Sequence, residues 1–592
     1  MRLSVLHTQS RGPTIAFTAL VLALSVSGCI RTISYAPPDG PIVVLDQGWS
    51  HEDSVWYDHA PQGGVIMPTA WFLAVEQPAV KLGAAPLFSE PAYLERFGFL
   101  PTLATPEDMA KGTNPHGLPV GFATQVVTDP LTGASFDALG LTCAACHTGQ
   151  IEYQGTAVRI AGGGAIIDPG TFEEALGLAL FLTDKLPGRF GRFADRVLGA
   201  DADAAAVAAL RKQVRDAITA GRAQDAVEKK MKINEVKGGY GRTDALAKIG
   251  NYVFGERIDN KNLRPADAPV NLPHIWDTPW FDRVQYNGAI VQPMVRNVGE
   301  ALGLRALVNL KVDNDTLYQS SINIEELHQM EEQISGKAPF QGLVSPKWPA
   351  EVLGPIDTAK ARRGEALYGQ FCERCHLPPL GSEEMRALDA DYWSPADVHG
   401  RQYLTVTLVN LAEIGTDEGT ALNFYHRVAD TEHLDKGLVS AGEGLALVTE
   451  EVTRRYYDDQ NFSAAKRLEY DGYREMNPKA LLVYKARPLD GIWATPPYLH
   501  NGAVANLYQM LVPVEQRDKC FFVGAREFDP VNVGYRTEEV DGAFELCTDT
   551  TGNSNAGHEF REQGGAEYGD GIIGRELTDE ERWAIVEYLK TL

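Results

Sequence analysis

Two pentapeptides constrain this chain more than anything else in it. Cys143-Ala-Ala-Cys146-His147 and Cys372-Glu-Arg-Cys375-His376 share the pattern Cys-x-x-Cys-His. With seven Cys and thirteen His in 592 residues, random placement gives roughly 0.002 copies of that pattern. A zinc half-site would need partner ligands at similar spacing, and a thioredoxin-like dithiol would not need the histidine. The spacing suits covalent haem: two thiols add across the vinyl groups, and the adjacent His offers a ring nitrogen to the iron. The expected cofactors are therefore two covalently bound c-type haems, one on Cys143, Cys146 and His147, the other on Cys372, Cys375 and His376.

The N-terminus says where such a chain goes. Residues 1–29 join a basic stretch, "MRLSVLHTQSRG", to a short apolar run ending in small residues and Cys29. That run is too short for the ~20 residues of a membrane span and reads as an export signal. Val26-Ser27-Gly28-Cys29 has the form of a bacterial lipobox, in which the cysteine becomes the lipidated first residue. The expectation is an exported lipoprotein, facing the periplasm or cell surface of a bacterium and touching the membrane through its lipid anchor alone. Residues 30–44 then read as a tether. Export also implies oxidised thiols. With Cys29 and the two motifs accounted for, Cys520 and Cys547 remain, and a disulfide between them is expected. The net charge of −25 offers no basic face for nucleic acid. It leaves room for a cationic redox partner.

The organisation expected from the sequence is mainly α with long irregular loops, in two cytochrome c-like haem domains. The first, 45–354, is heavily elaborated, with an Ala-rich helical excursion at about 200–236. The second, 355–592, has a tidier frame. "KARRGEALYGQFCERCH" (360–376) is a helix running into its motif, and "LTDEERWAIVEYLKTL" closes the chain as an amphipathic helix behind a Thr578–Glu581 capping box. A closing helix packed on the first helix, around Gly364 and Tyr368, is how small cytochrome c domains finish.

Several stretches together resemble one family. "WYDHAPQGGVIMPTAWFLAVEQP" (56–78), "GLTCAACHTGQIEYQGTAVRI" (140–160), "WDTPWFDRVQYNG" (276–288), "RNVGEALG" (296–303), "PLDGIWATPPYLHNGAVANLYQML" (488–511) and "GNSNAGHEF" (552–560) are similar to the di-haem rubber oxygenases of the RoxA/RoxB type. Those are relatives of the bacterial di-haem cytochrome c peroxidases and of MauG. The resemblance implies that His147 is the proximal ligand of a haem whose other face is open to O2 or H2O2. It implies that His376 serves a six-coordinate haem whose sixth ligand is His558. It also makes His500, in "YLHNG", a residue needed near the haems, and Trp276 an aromatic beside the active haem. The activity implied is that of a di-haem oxidoreductase, oxygenase-like on an unsaturated apolar compound or peroxidase-like on H2O2. A lipid-anchored electron carrier without turnover is the alternative, and a gas-sensing module a third.

Overall fold

The computed structural model describes residues 30–592 apart from 82, 312–313, 435, 477 and 563–569. The leader and Cys29 lie outside the described residues. No helix among the described residues is long and apolar enough to cross a membrane.

The tether reading of 30–44 does not hold against the packing. Ile33 is buried, its amide donates to the Tyr240 hydroxyl, and the Tyr35 hydroxyl donates to the Gly524 carbonyl. Strand β1 (Val43–Val44) then joins a sheet edge in parallel. The apolar residues scattered among the prolines have a surface to bury against, and burial outweighs the local looseness of a Pro/Gly stretch.

Helix α1 (His51–His59) starts at a Ser50–Asp53 capping box. Strand β2 (Met67–Pro68) pairs with β4 (Ser135–Leu141), which pairs antiparallel with β3 (Phe122–Thr128). The first motif is the helical turn α2 (Cys143–Cys146), held between β4 and a hairpin of β5 (Thr148–Tyr153) and β6 (Thr156–Ala161), whose edge β1 extends. The helices α3 (Pro169–Lys185), α4 (Arg189–Leu198) and α5 (Ala204–Met231) follow. Of the 28 residues of α5 only Leu210 and Val214 are buried, so the 200–236 excursion is a surface helix. Further on come α6 (Pro293–Gly303), α7 (Thr358–Phe371) and the second motif's turn α8 (Glu373–His376). Strands β7 (Thr407–Asn410) and β8 (Val483–Ala486) pair antiparallel, as do β9 (Cys520–Val523) and β10 (Phe544–Cys547). Helix α9 (Asp579–Leu589) ends the chain.

The fold is thus mixed and largely helical, where mainly α was expected. The two three-stranded sheets flank the first motif, because "ASFDALGL" and "GQIEYQGTAVRIA" supply strand-length segments on either side of it. Around the second motif the expected helical frame is present. A Cβ at Gly364 would lie 2.0 Å from the Ala584 carbonyl oxygen, and the Tyr368 and Tyr588 rings are 5.3 Å apart. Only glycine lets α7 and α9 cross this closely.

The core does not divide at 354/355. One apolar cluster joins Tyr57, Ile151 and Val158 to Leu367, Trp493 and Ile585. Residues far apart in sequence therefore wall the same space.

Candidate functional site

Each motif turn closes the same way. The His147 amide donates to the Cys143 carbonyl at 2.9 Å, and the His376 amide to the Cys372 carbonyl at 2.9 Å. One helical turn brings the two thiols to one face and leaves the histidine ring at its end. Each ring is then fixed by a backbone carbonyl. His147 Nδ1 donates to the Pro273 carbonyl at 2.6 Å, and His376 Nδ1 to the Arg487 carbonyl at 2.8 Å. A proton committed to Nδ1 leaves Nε2 free as a ligand, which is how metal-binding imidazoles are oriented. Burial keeps the rings neutral, His147 down at about 4 and His376 below its ordinary value. Burial pushes the thiols of Cys143, Cys146 and Cys372 up to about 12. None of the four motif cysteines is in a disulfide, whereas Cys520 and Cys547 form one.

The second motif opens on a cavity of about 250 Å³ lined by Cys372, Cys375, His376, His558, His500 and apolar side chains such as Leu489 and Phe560. His558 faces His376 across it, with ring centres 6.1 Å apart. Imidazole nitrogens bind transition metals at ~2 Å, so two rings sharing one ion have centres about 6 Å apart. The donor set, the spacing and the apolar walls fit a c-type haem with two histidine ligands. His558 has φ 43°, a left-handed conformation uncommon outside glycine. The buried guanidinium of Arg517 holds it there, donating to the carbonyls of Asn555, Gly557 and His558. Burial keeps the His558 ring neutral, at about 3.

His500 lines the same cavity but is not set against His376. Its ring stacks on Tyr484 at 4.1 Å, and its carbonyl accepts from the Asn271 amide. Trp276 is fully buried. It stacks on His274 at 4.2 Å, and its Nε1 donates to the Asp490 carbonyl. It therefore lies between the segment that fixes His147 and the segment that fixes His376.

Around the first motif the company differs. Among the described residues no second imidazole is paired with His147 in this way. The acid whose charge bears on both Cys143 and Cys146 is Glu300 on α6, which accepts a hydrogen bond from Gln285 Nε2 at 3.2 Å. Burial raises the Glu300 carboxyl above its ordinary value, against the pull of Arg296. Arg296 is itself ion-paired with Glu331. Sequence reasoning passed over Glu300, Arg487 and Arg517. The signal for the first lay inside the quoted stretch "RNVGEALG", and Arg487 immediately precedes "PLDG". Nothing local marks Arg517.

The chain is 42% identical over 603 residues to the uncharacterized protein y4iJ of Sinorhizobium fredii (strain NBRC 101917 / NGR234), covering 98% of each chain. This chain belongs to the y4iJ family. A second protein of that organism, the uncharacterized y4iM, is 24% identical over 273 residues, 46% of this chain and 51% of its own. Residues 483–522 of this y4iJ family member match the family described as RoxA-like, cytochrome c-like. That segment runs from β8 through Arg487 and His500 to β9. A cytochrome c-like segment implies a c-type haem.

Proposed function

We propose that the chain is an exported di-haem c-type cytochrome oxidoreductase with divided roles. Cys143, Cys146 and His147 would hold one haem, left available to a small oxidant. Cys372, Cys375, His376 and His558 would hold the second, which would supply electron transfer. The observation that supports this division is an asymmetry: His558 stands across from His376 at 6.1 Å, while among the described residues no imidazole pairs with His147 in this way and Cys143 Sγ is hydrogen-bonded to Gln62.

When bound, the haem supplies the redox chemistry, here directed at O2 or H2O2. The residues supply the rest. The histidines fix the ligand geometry. Glu300, buried, oriented by Gln285 and made a weaker acid by that burial, would be the acid–base group nearest in charge to the first motif. Trp276 and His274 fill the space between the segments that fix the two proximal rings. The resemblance to the rubber oxygenases points to an oxygenase acting on an unsaturated apolar compound, and the RoxA-like, cytochrome c-like segment at 483–522 is in line with it; peroxidase chemistry is the other outcome the same site would serve.

Spectra of the holoprotein test the division. Cyanide and CO are expected to perturb one haem and leave a low-spin partner untouched, and His558→Ala is expected to make that partner five-coordinate. Two low-spin haems that ignore cyanide, CO and peroxide would make the chain an electron carrier and end the enzyme reading. We also propose anchoring through Cys29. Cys29→Ala should move the protein from the membrane pellet to the soluble fraction, and persistent pelleting would count against lipidation.

A further inference from the structure

We propose that Arg487 is a positioning residue shared by both haem sites, and that it couples them. The inference rests on the two-haem reading above. Its ground is a route between the proximal rings made of covalent bonds and three hydrogen bonds. His147 Nδ1 donates to the Pro273 carbonyl at 2.6 Å. The carbonyl of the next residue, His274, accepts from Arg487 Nη1 at 2.9 Å. The carbonyl of Arg487 itself accepts from His376 Nδ1 at 2.8 Å. One residue thus grips the segment that orients the first ligand with its side chain, and orients the second ligand with its backbone.

The guanidinium is unusual in its surroundings. It lines the cavity, its Nε is buried with no hydrogen-bond partner, and Nη2 reaches Thr278 Oγ1 at 3.4 Å. Among the described residues it forms no ion pair with a carboxylate. Lys485, two residues earlier on β8, lines the same cavity and likewise forms no ion pair among the described residues. The acids that bear on them, Asp277 on Arg487 and Asp282 on Lys485, do not close to ion-pair distance. A buried cation held off from its anions is costly, so this pair has room for further carboxylates. Haem propionates are carboxylates of that kind. A fixed positive charge close to both sites disfavours the oxidised, more positive state of each. Arg487 therefore sets both potentials together, where a residue local to one motif would set one.

The test is a spectroelectrochemical titration of the holoprotein, with haem counted per chain. In Arg487→Met both haems should shift at least tenfold toward the oxidised form, about 59 mV for a one-electron couple. Arg487→Lys, which keeps the charge, should recover both together. Two haems per chain with only one potential moved, or neither, would overturn the coupling and leave the two-haem reading intact. One haem per chain in the unaltered protein would overturn that reading and the coupling with it. Should Arg487→Met fail to take up haem, the unaltered protein answers: with CO holding the first haem reduced, the potential of the second should be displaced. An unmoved potential overturns the proposal.

Discussion

At Cys143 the motif turn lies flat on backbone. Ala144 and Ala145 are buried, and a Cβ at Gly121 (φ 87°) would lie 2.3 Å from the Ala145 Cα. At Cys372 the same turn carries Glu373 and an exposed Arg374, and caps a helix. The first turn is framed by strands, with the buried Glu300 carboxyl acting on its two thiols through charge; the second is framed by crossing helices and faces an imidazole. The motif turn is common to both. What surrounds it differs, and under the proposed haem attachment that would decide whether an iron is closed or open. The comparison teaches that the motif specifies attachment and one ligand, and leaves reactivity to residues supplied from elsewhere.

The largest blow to this contrast should come from Glu300→Gln. Loss of a positioned proton donor costs about 10²–10⁴ in rate, so turnover with peroxide or O2 should collapse while the low-spin spectrum of the second haem stays put. An undiminished rate would remove Glu300 from the distinction. Next is the staple beside the His558 loop. Replacing Cys520 and Cys547 by Ser should cost about 3–4 kcal/mol in thermal or denaturant unfolding. The loosening should appear first at the second haem, because Asn553 and Asn555 tie the ligand loop to Cys547 and Asp518. A change confined to the first haem would contradict that assignment. Gly364→Ala should cost about 1–3 kcal/mol by forcing α7 and α9 apart; a neutral result would mean that the helical frame is looser than its geometry.

The smallest effect is a slope. Asp58 on α1 lies against the first motif, its carboxyl accepting from Thr148, and burial lifts it to about 7. An acid whose value is raised in the fold stabilises it fully below its ordinary value, and that contribution fades as pH rises through about 7. Stability should therefore fall between pH 4 and 7, and Asp58→Asn should flatten the fall. A variant with the same slope would place the titration elsewhere.

Much of the second site was legible because its signals are local. A helix running into Cys372, a capping box at Thr578 and a glycine where two helices meet can each be read over a few residues. The disulfide followed from counting cysteines under an export signal. The strand frame of the first motif was harder. Its longer strands run six or seven residues, but Gly140 interrupts one and two others are buried on both faces, so period-two patterning was thin. The packing of Ile33 and Tyr35 was hidden for a related reason: a Pro-rich stretch looks loose until a partner surface is known.

By itself, the sequence determined the two Cys-x-x-Cys-His turns, four thiols and two histidines whose adjacency the proposed haem attachment needs, because that chemistry needs neighbours along the chain. Tertiary structure alone decided what is brought near each motif. His558 comes from 182 residues beyond His376. Glu300 comes from a helix more than a hundred residues past the first motif. Arg487 grips both proximal segments at once. Through-space contacts of this kind depend on how a single core folds 57 against 585, and spacing along a chain carries no record of them.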